Sequence, residues 1–457
     1  MKKANSGNRV SANSAEGVVL IVLLVLWFLL GPAAADDSNP RVKCRVETDR
    51  SVLAVGSPRT IVVKVTLDAE KPPKTARRPP VNLAIALDRS GSMTGEKLAK
   101  AKEAAIEALG RLGSSDVFSL VAYDHTVTTV VPAQRVGDAY GIRAKIRDIH
   151  GGGNTALFGG VSQSASEVRK HLDGEFVNRI ILLSDGLANV GPSSPEELGR
   201  LGAALIKEGI SVTTVGVGLD YNEDLMTRLS RNSDGNSYFV ESSRDLARIF
   251  NAELGDVLSV VAQKVHIIVE FPEDVRPVSI IGRDGRIRDR KVELSMNQLY
   301  GGQEKYALIE IEVPSGKVAD RRDIAAAVVT YTDAVSQRRS KTGGSATIRF
   351  SKDRSDVEKS VNVDVQKAYE LTLSAIAQED AVALADKGRD KEAGEALRRS
   401  AERLKEVGRR YRDEKLLIRA KETAEQATQV SSQGMTGKAR KSLKTDSHQT
   451  RQQQYSR

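Results

Sequence analysis

Val81 to Ser92 read VNLAIALDRSGS, an apolar run that ends in an aspartate with serines two and four residues beyond it. Short, without polar alternation, the run reads as a strand buried on both faces of a parallel sheet. A second run, Arg179 to Ser184 (RIILLS), ends in Asp185-Gly186. Both aspartates therefore fall at the C-terminal ends of buried strands. In open α/β sheets ligands bind in the crevice outside those ends, where the strand order reverses. If these two strands flank that reversal, Asp88 and Asp185 face one crevice. Ser90 and Ser92 join Asp88 through a turn that Gly91 lets close tightly, and a third segment, GGGNTALFGG, brings Thr155. Asp88, Ser90, Ser92, Thr155 and Asp185 offer oxygen only. That donor set suits a hard cation, Mg²⁺ with Mn²⁺ or Ca²⁺ as alternatives, whereas zinc sites take His or Cys.

The surrounding sequence has the periodicity of a doubly wound sheet. Leu98, Ala101, Ala105, Leu109 and Leu112 recur at spacings of three and four, an amphipathic helix after the aspartate loop. Val117 to Tyr123 and Ser211 to Val217 read as further buried strands, and Val127 to Val131 as an edge strand. Ser194 to Glu208 and Asn222 to Arg231 read as helices. Strands alternating with helices exclude an all-β fold here.

This pattern resembles the von Willebrand factor type A domains with their metal-ion-dependent adhesion site. The family's DxSxS is matched by Asp88, Ser90 and Ser92, its loop threonine by Thr155, and its second aspartate by Asp185 in LLSDG. Serine and aspartate are common in turns, so a lone DxSxS says little; three matched pieces in order after the right strands say more. The resemblance covers Pro79 to Gly255. Within it, VGVGLDYNEDLMTRLS followed by GNSYFV is similar to the bacterial branch that also resembles calcium-activated chloride channel regulators and inter-alpha-trypsin inhibitor heavy chains. The resemblance implies that the three hydroxyls touch the metal and that the aspartates hold it directly or through water. It implies a partner that offers the metal an acidic side chain. It also implies that the last helix of the unit, Arg244 to Gly255, shifts as the site tightens.

The 457 residues, 40% hydrophobic and 28% charged, have a globular composition and length for about three domains. Lys2, Lys3 and Arg9 precede the apolar run Val18 to Leu30, followed by Ala33-Ala34-Ala35. Residues 1–35 read as a signal peptide. The alternative is an uncleaved anchor over residues 17–35, near the lower length limit for a bilayer span. Either places the rest of the chain outside the cytoplasm, secreted or in the periplasm or envelope, with the membrane touched only by that segment. Cys44 is the only cysteine, so the chain forms no internal disulfide. Its alternation with Val42 and Val46 marks it as a core residue.

On either side of the α/β unit (81–255) the pattern becomes alternating. Residues 41–67 carry half-buried strands, Val63, Val65 and Leu67 set against Lys64 and Thr66. A few strands do not make a core alone, and partners come only after residue 256: Val265 to Phe271, Tyr306 to Val313, Ile324 to Thr332 and Ala346 to Phe350. The reading is one β-sandwich, 41–67 with 258–350, into which the α/β unit is inserted through a proline-rich linker (68–80) whose basic residues form a solvated hinge. Residues 356–430 read as two or three helices with turns at Gly388 and Gly408. The basic, glutamine-rich tail 431–457 reads as disordered.

Aromatics are 4% of the chain, too few for nucleic-acid stacking platforms. The formal charge of +9 fits a solvated surface or anionic envelope polymers as partners. The chain has no HExxH, GxxxxGK[ST] or GxSxG, and its histidines show no ligand spacing. His125 and His150 fall in loops near the crevice. The sequence therefore points to an exported, metal-dependent protein-binding protein rather than an enzyme. A metal-dependent hydrolase and a scaffold with a purely structural metal remain the alternatives.

Overall fold

Three strands come first among the described residues: β1 (Val42–Thr48), β2 (Val52–Ala54) and β3 (Arg59–Ala69). The structure, a computed structural model, describes residues 41–72, 77–172 and 175–454. The signal-peptide or anchor segment lies outside the described residues. The α/β unit follows as β4 (Val81–Asp88), α1 (Glu96–Gly110), β5 (Val117–Tyr123), β6 (Val127–Arg135), α2 (Ala139–Arg147), α3 (Leu157–Arg169), β7 (Val177–Ser184), α4 (Pro195–Lys207), β8 (Ile210–Val217), α5 (Glu223–Asn232), β9 (Ser237–Val240) and α6 (Leu246–Val257). Strands then resume as β10 (Val260–Glu270), β11 (Arg276–Ile281), β12 (Arg286–Arg288), β13 (Lys291–Tyr300), β14 (Glu304–Val313), β15 (Arg321–Asp333) and β16 (Arg339–Ser351). The chain closes in α7 (Arg354–Lys359), α8 (Val363–Ala385), α9 (Asp390–Tyr411), α10 (Glu414–Gln433) and α11 (Gly437–Arg451).

The central sheet has the order β6-β5-β4-β7-β8-β9, all parallel except the edge strand β6. The chain leaves β4 for β5 on one side and returns to β7 on the other, so the order reverses between β4 and β7. Every residue of β4, β5, β7 and β8 is buried, which is why these runs are mostly apolar, and buried polar residues within them such as Asn82, Asn178 and Arg179 are hydrogen-bonded. Leu83, Ile85 and Leu87 pack with α1 and α6 on one face, Ala84 and Ala86 with α3 on the other.

Strands from both sides of this unit share the sandwich. One sheet runs β1-β3-β14-β11 and the other β12-β13-β10-β15-β16-β2. β3 pairs antiparallel with β14 from Asp68 opposite Glu304 to Arg59 opposite Val313, and β2 pairs parallel with β16. Two expectations need correction. Lys64 and Thr66 are buried, not solvent-facing, because the helical region covers the outer face of β3 through Val365 and Ala368. Lys64 is accommodated by Glu304 at 3.0 Å and the Tyr306 ring at 4.7 Å. At the end of the linker Arg78 is not solvated but paired, donating to both carboxylate oxygens of Asp116 at 2.8 and 2.5 Å. Asp116 in turn accepts from the Val81 amide that starts β4. Cys44 packs half-buried against the sandwich core, and burial pushes its thiol up to about 11.

The α/β unit and the sandwich meet at a buried ion pair. Arg179 of β7 is fully buried. It donates to Gln298 and the Tyr300 hydroxyl of β13, each at 2.6 Å, and to Thr213 of β8 at 3.0 Å. It pairs with Glu253 of α6 at 3.2 Å. Glu253 also accepts from Thr213, Asn236 and Tyr238 at 2.6, 2.8 and 3.2 Å.

The helical region departs further from the sequence reading. Gly388, at φ +72°, does mark a turn, but Gly408 lies inside α9, where a Cβ would sit 3.0 Å from Leu417 of α10. The turn comes later, with Arg412 in the left-handed region and Asp413 capping α10. The tail expected to be disordered forms α11, because its basic residues find fixed acidic partners. Lys441 reaches Glu223 at 2.6 Å, Arg440 reaches Asp224 at 2.7 Å and Asp386 at 2.9 Å, and Lys444 also pairs with Asp224. His448 is fully buried, with Nε2 3.1 Å from the Gly235 carbonyl.

Two outcomes follow for stability. Glu253→Ala leaves the Arg179 charge uncompensated and is expected to cost about 3–5 kcal/mol, whereas Arg179→Met with Glu253→Leu costs less than the single change; urea midpoints decide. Burial, with Arg231 and Arg451 nearby, pushes the His448 pKa down to about 3, below the ~6.5 of a free imidazole. The unfolded chain then takes up the proton first. The stabilisation is complete above pH ~6.5 and is lost as pH falls toward 3, by up to about 1.4 kcal/mol per unit. His448→Gln should flatten that slope in acid-unfolding curves.

Candidate metal centre

β4 and β7 pair in parallel from Val81 opposite Val177 to Leu87 opposite Leu183, so Asp88 and Asp185 stand side by side at the reversal of strand order. Both are fully buried. After β4 the chain makes one tight helical turn, Gly91–Met93, and fully buried Met93 anchors it in the core. That turn is pinned to the glycine-rich loop by the backbone: Gly91 N–H donates to Gly153 O at 3.0 Å and Gly152 N–H to Arg89 O at 2.8 Å. Thr155 is fixed from the other side. Its N–H donates to Asn189 Oδ1 at 2.7 Å, and its carbonyl accepts from the Asn189 and Val190 amides.

The five residues converge. Asp88 Oδ1 accepts from the Ser90 amide at 2.8 Å, and Oδ2 from the Ser184 hydroxyl at 2.5 Å. Ser90 Oγ and Ser92 Oγ are 3.2 Å apart, and Ser92 Oγ donates to Asp185 Oδ1 at 2.7 Å. A Cβ at Gly186 would meet Ser92 Oγ at 3.2 Å, Thr155 Oγ1 at 3.3 Å and Ser90 Oγ at 3.9 Å. Three hydroxyls thus gather around one small space beside two carboxylates, and a side chain at Gly186 would crowd it. Burial pushes Asp88 up to about 6 against the lowering effect of Ser184 and Ser90, with Asp185 adding to the rise. Among the described residues no group of three or more His, Cys, Asp or Glu side chains is placed to hold a metal. A cation here has to draw on hydroxyl oxygens, and this donor set fits a hard divalent ion.

Four supporting side chains were not foreseen. Ser184 holds Asp88, Asn189 holds Thr155, Lys97 of α1 pairs with Asp185, and Arg89 pairs with Asp124 at 3.0 Å, bracing the loop after β5. Ser184 carried a signal, as the polar end of an otherwise apolar run; the others did not. His125 lies against Gly153 and 3.4 Å from Asp124, with its side chain 60% exposed. His150 is exposed.

Residues 82–252 match the model of the von Willebrand factor type A domain. The chain is 26% identical over 245 residues to an uncharacterized protein of Synechocystis sp., across 51% of this chain and 58% of that one. It is 31% identical over 177 residues to inter-alpha-trypsin inhibitor heavy chain H2 of Sus scrofa, across 37% of this chain and 19% of that one. It therefore spans less than two thirds of the length of either relative. A solved von Willebrand factor type A protein from Catenulispora acidiphila superposes with a TM-score of 0.67 at 17% identity, covering 86% of this chain and 91% of that one. The ArnB paralog VWA2 from Sulfolobus acidocaldarius gives 0.60 at 16%, covering 90% and 98%; both likenesses speak to fold. The α/β unit of this chain is a von Willebrand factor type A domain, of the family whose metal-ion-dependent adhesion site takes divalent cations and typically serves protein interaction.

Proposed function

We propose that this chain is an exported binding protein whose type A domain holds one divalent cation, Mg²⁺ ahead of Mn²⁺ or Ca²⁺, through Asp88, Ser90, Ser92, Thr155 and Asp185. The cation accepts an acidic side chain from a protein partner. The observation that carries this reading is the space at Gly186, ringed by three hydroxyls beside two buried carboxylates. Mg²⁺ prefers six oxygens and surrenders its waters reluctantly. Two carboxylates at most balance its charge, so a position taken by water stays attractive to a third carboxylate. Binding rather than catalysis is favoured because neither a second metal nor a fixed general base accompanies the site in sequence.

Export is supported by the basic residues and apolar run before Ala35. Whether that segment is cut or kept as an anchor, the binding face lies outside the cytoplasm. No described helix is long and apolar enough to cross a membrane. The net positive charge adds anionic envelope polymers as secondary partners.

Mg²⁺ at 100 times its dissociation constant should stabilise the wild type by about 2.7 kcal/mol, read as a rise in melting temperature. Asp88→Ala and Gly186→Val should show no such rise, the first lacking a ligand and the second filling the space. An equal rise in Asp88→Ala would refute the assignment. Capture of envelope proteins should succeed with Mg²⁺ and fail with EDTA or with Asp88→Ala. Turnover abolished by Asp88→Ala would instead favour a hydrolase, and a melting defect with capture intact a structural metal.

A further inference from the structure

Lys97 is the second residue of α1, on the helix that follows the Asp88 loop. Its side chain crosses to the neighbouring strand end, where Nζ pairs with Asp185 Oδ2. The same ammonium lies 3.7 Å from where a Cβ on Gly218 would sit, so it occupies the gap between the ends of β7 and β8. Asp185 is fully buried, while the Lys97 side chain is 32% exposed.

The two aspartates are held in different ways. Asp88 has both oxygens on fixed donors, a backbone amide at 2.8 Å and the buried Ser184 hydroxyl at 2.5 Å. Asp185 has one oxygen on Ser92 at 2.7 Å and the other on a lysine tip. An ammonium on a flexible four-carbon stem is a mobile point charge. A buried carboxylate left without a counter-charge is costly, so Lys97 stabilises the domain when no other cation is near. The same charge repels a cation arriving at the Gly186 space.

We propose that Lys97 is a built-in counter-cation of the metal centre: it holds Asp185 in the metal-free protein, is displaced when a divalent ion binds, and thereby sets the metal affinity. The idea rests on the metal reading above. Its consequence is that the site stays folded at low metal and fills at a higher metal concentration than it would without the lysine, because each binding event has to break one ion pair.

The test compares wild type, Lys97→Gln and Lys97→Arg, full chain, by titration calorimetry with MgCl₂ alone. Lys97→Gln should bind Mg²⁺ on the order of tenfold more tightly, the scale of one charge removed from a partly solvated site. Lys97→Arg, keeping the charge, should stay near wild type. In EDTA, Lys97→Gln should melt lower than wild type and gain more on adding Mg²⁺. Acylation of Lys97, read by mass spectrometry, should be faster in Mg²⁺ than in EDTA. Wild-type affinity in Lys97→Gln, or labelling of Lys97 that ignores the metal, would overturn the proposal while leaving the metal site standing, provided Asp88→Ala binds none. If the wild type itself takes up no Mg²⁺, both readings fall together.

Discussion

Two carboxylates buried side by side at the ends of β4 and β7 are the constraint around which this domain is arranged. Removing a charge from water costs several kcal/mol unless bonds or counter-charges offset it. Each neighbouring segment answers part of that demand. The Asp88 loop turns its own Ser90 amide back onto Asp88; β7 supplies Ser184; the turn supplies Ser92 to Asp185. These bonds dictate where the hydroxyls point. Because Gly186 adds no side chain, the oxygens that remain face one small space instead of being covered. The same solvation problem therefore shapes both the local fold and the chemistry that the crevice can perform.

Rigidity below the crevice comes from the far end of the same strand. Arg179 lies six residues before Asp185 on β7, and its guanidinium is bonded to β8, α6 and β13. A strand fixed at one end by a buried pair presents its other end precisely placed, which is what a metal site needs. α11 acts along the sheet edge. It runs from the first turn of α5, where Arg440, Lys441 and Lys444 meet Glu223 and Asp224, to β9, where Gln449 donates to Ser237 O at 2.9 Å. The helical region is thus a brace on the type A domain as well as a cover for the sandwich.

Much of this was legible in the sequence because its physics is local. Strands buried on both faces of a parallel sheet are predominantly apolar, so β4, β5, β7 and β8 declare themselves as short runs, and the aspartates at the ends of β4 and β7 follow. Split pairing of the sandwich was legible from alternation on both sides of the insertion. What stayed hidden depended on contacts distant in sequence. α11 looks disordered alone, since its charges are answered by residues distant in sequence, above all Glu223 and Asp224 of α5, about 215 residues earlier. Gly408 looks like a helix stop, yet it is a close contact with α10. Lys64 looks solvent-facing until α8 covers the strand, and β12, three residues with two arginines, has no apolar pattern to announce it. Lys97 has no motif at all; its role exists only because β7 brings Asp185 within its reach.

The insertion also limits how the metal face can influence the rest of the chain. Both ends of the α/β unit, the start of β4 and the end of α6, lie at the N-terminal ends of the strands, opposite the crevice. Two of the structural routes from the metal to the sandwich, down β7 and along α6, terminate in the Arg179–Glu253 pair. Coupling requires two states that the ligand distinguishes. Glu253 is held by Arg179, Thr213, Asn236 and Tyr238, all within 3.2 Å. Sliding α6 by even one turn would break these bonds together and leave two charges buried without partners. A ligand has to prefer the shifted state by more than that penalty before the helix moves. Unless Glu253 finds equivalent partners after the shift, the physics favours a clasp whose metal face works on a fixed base.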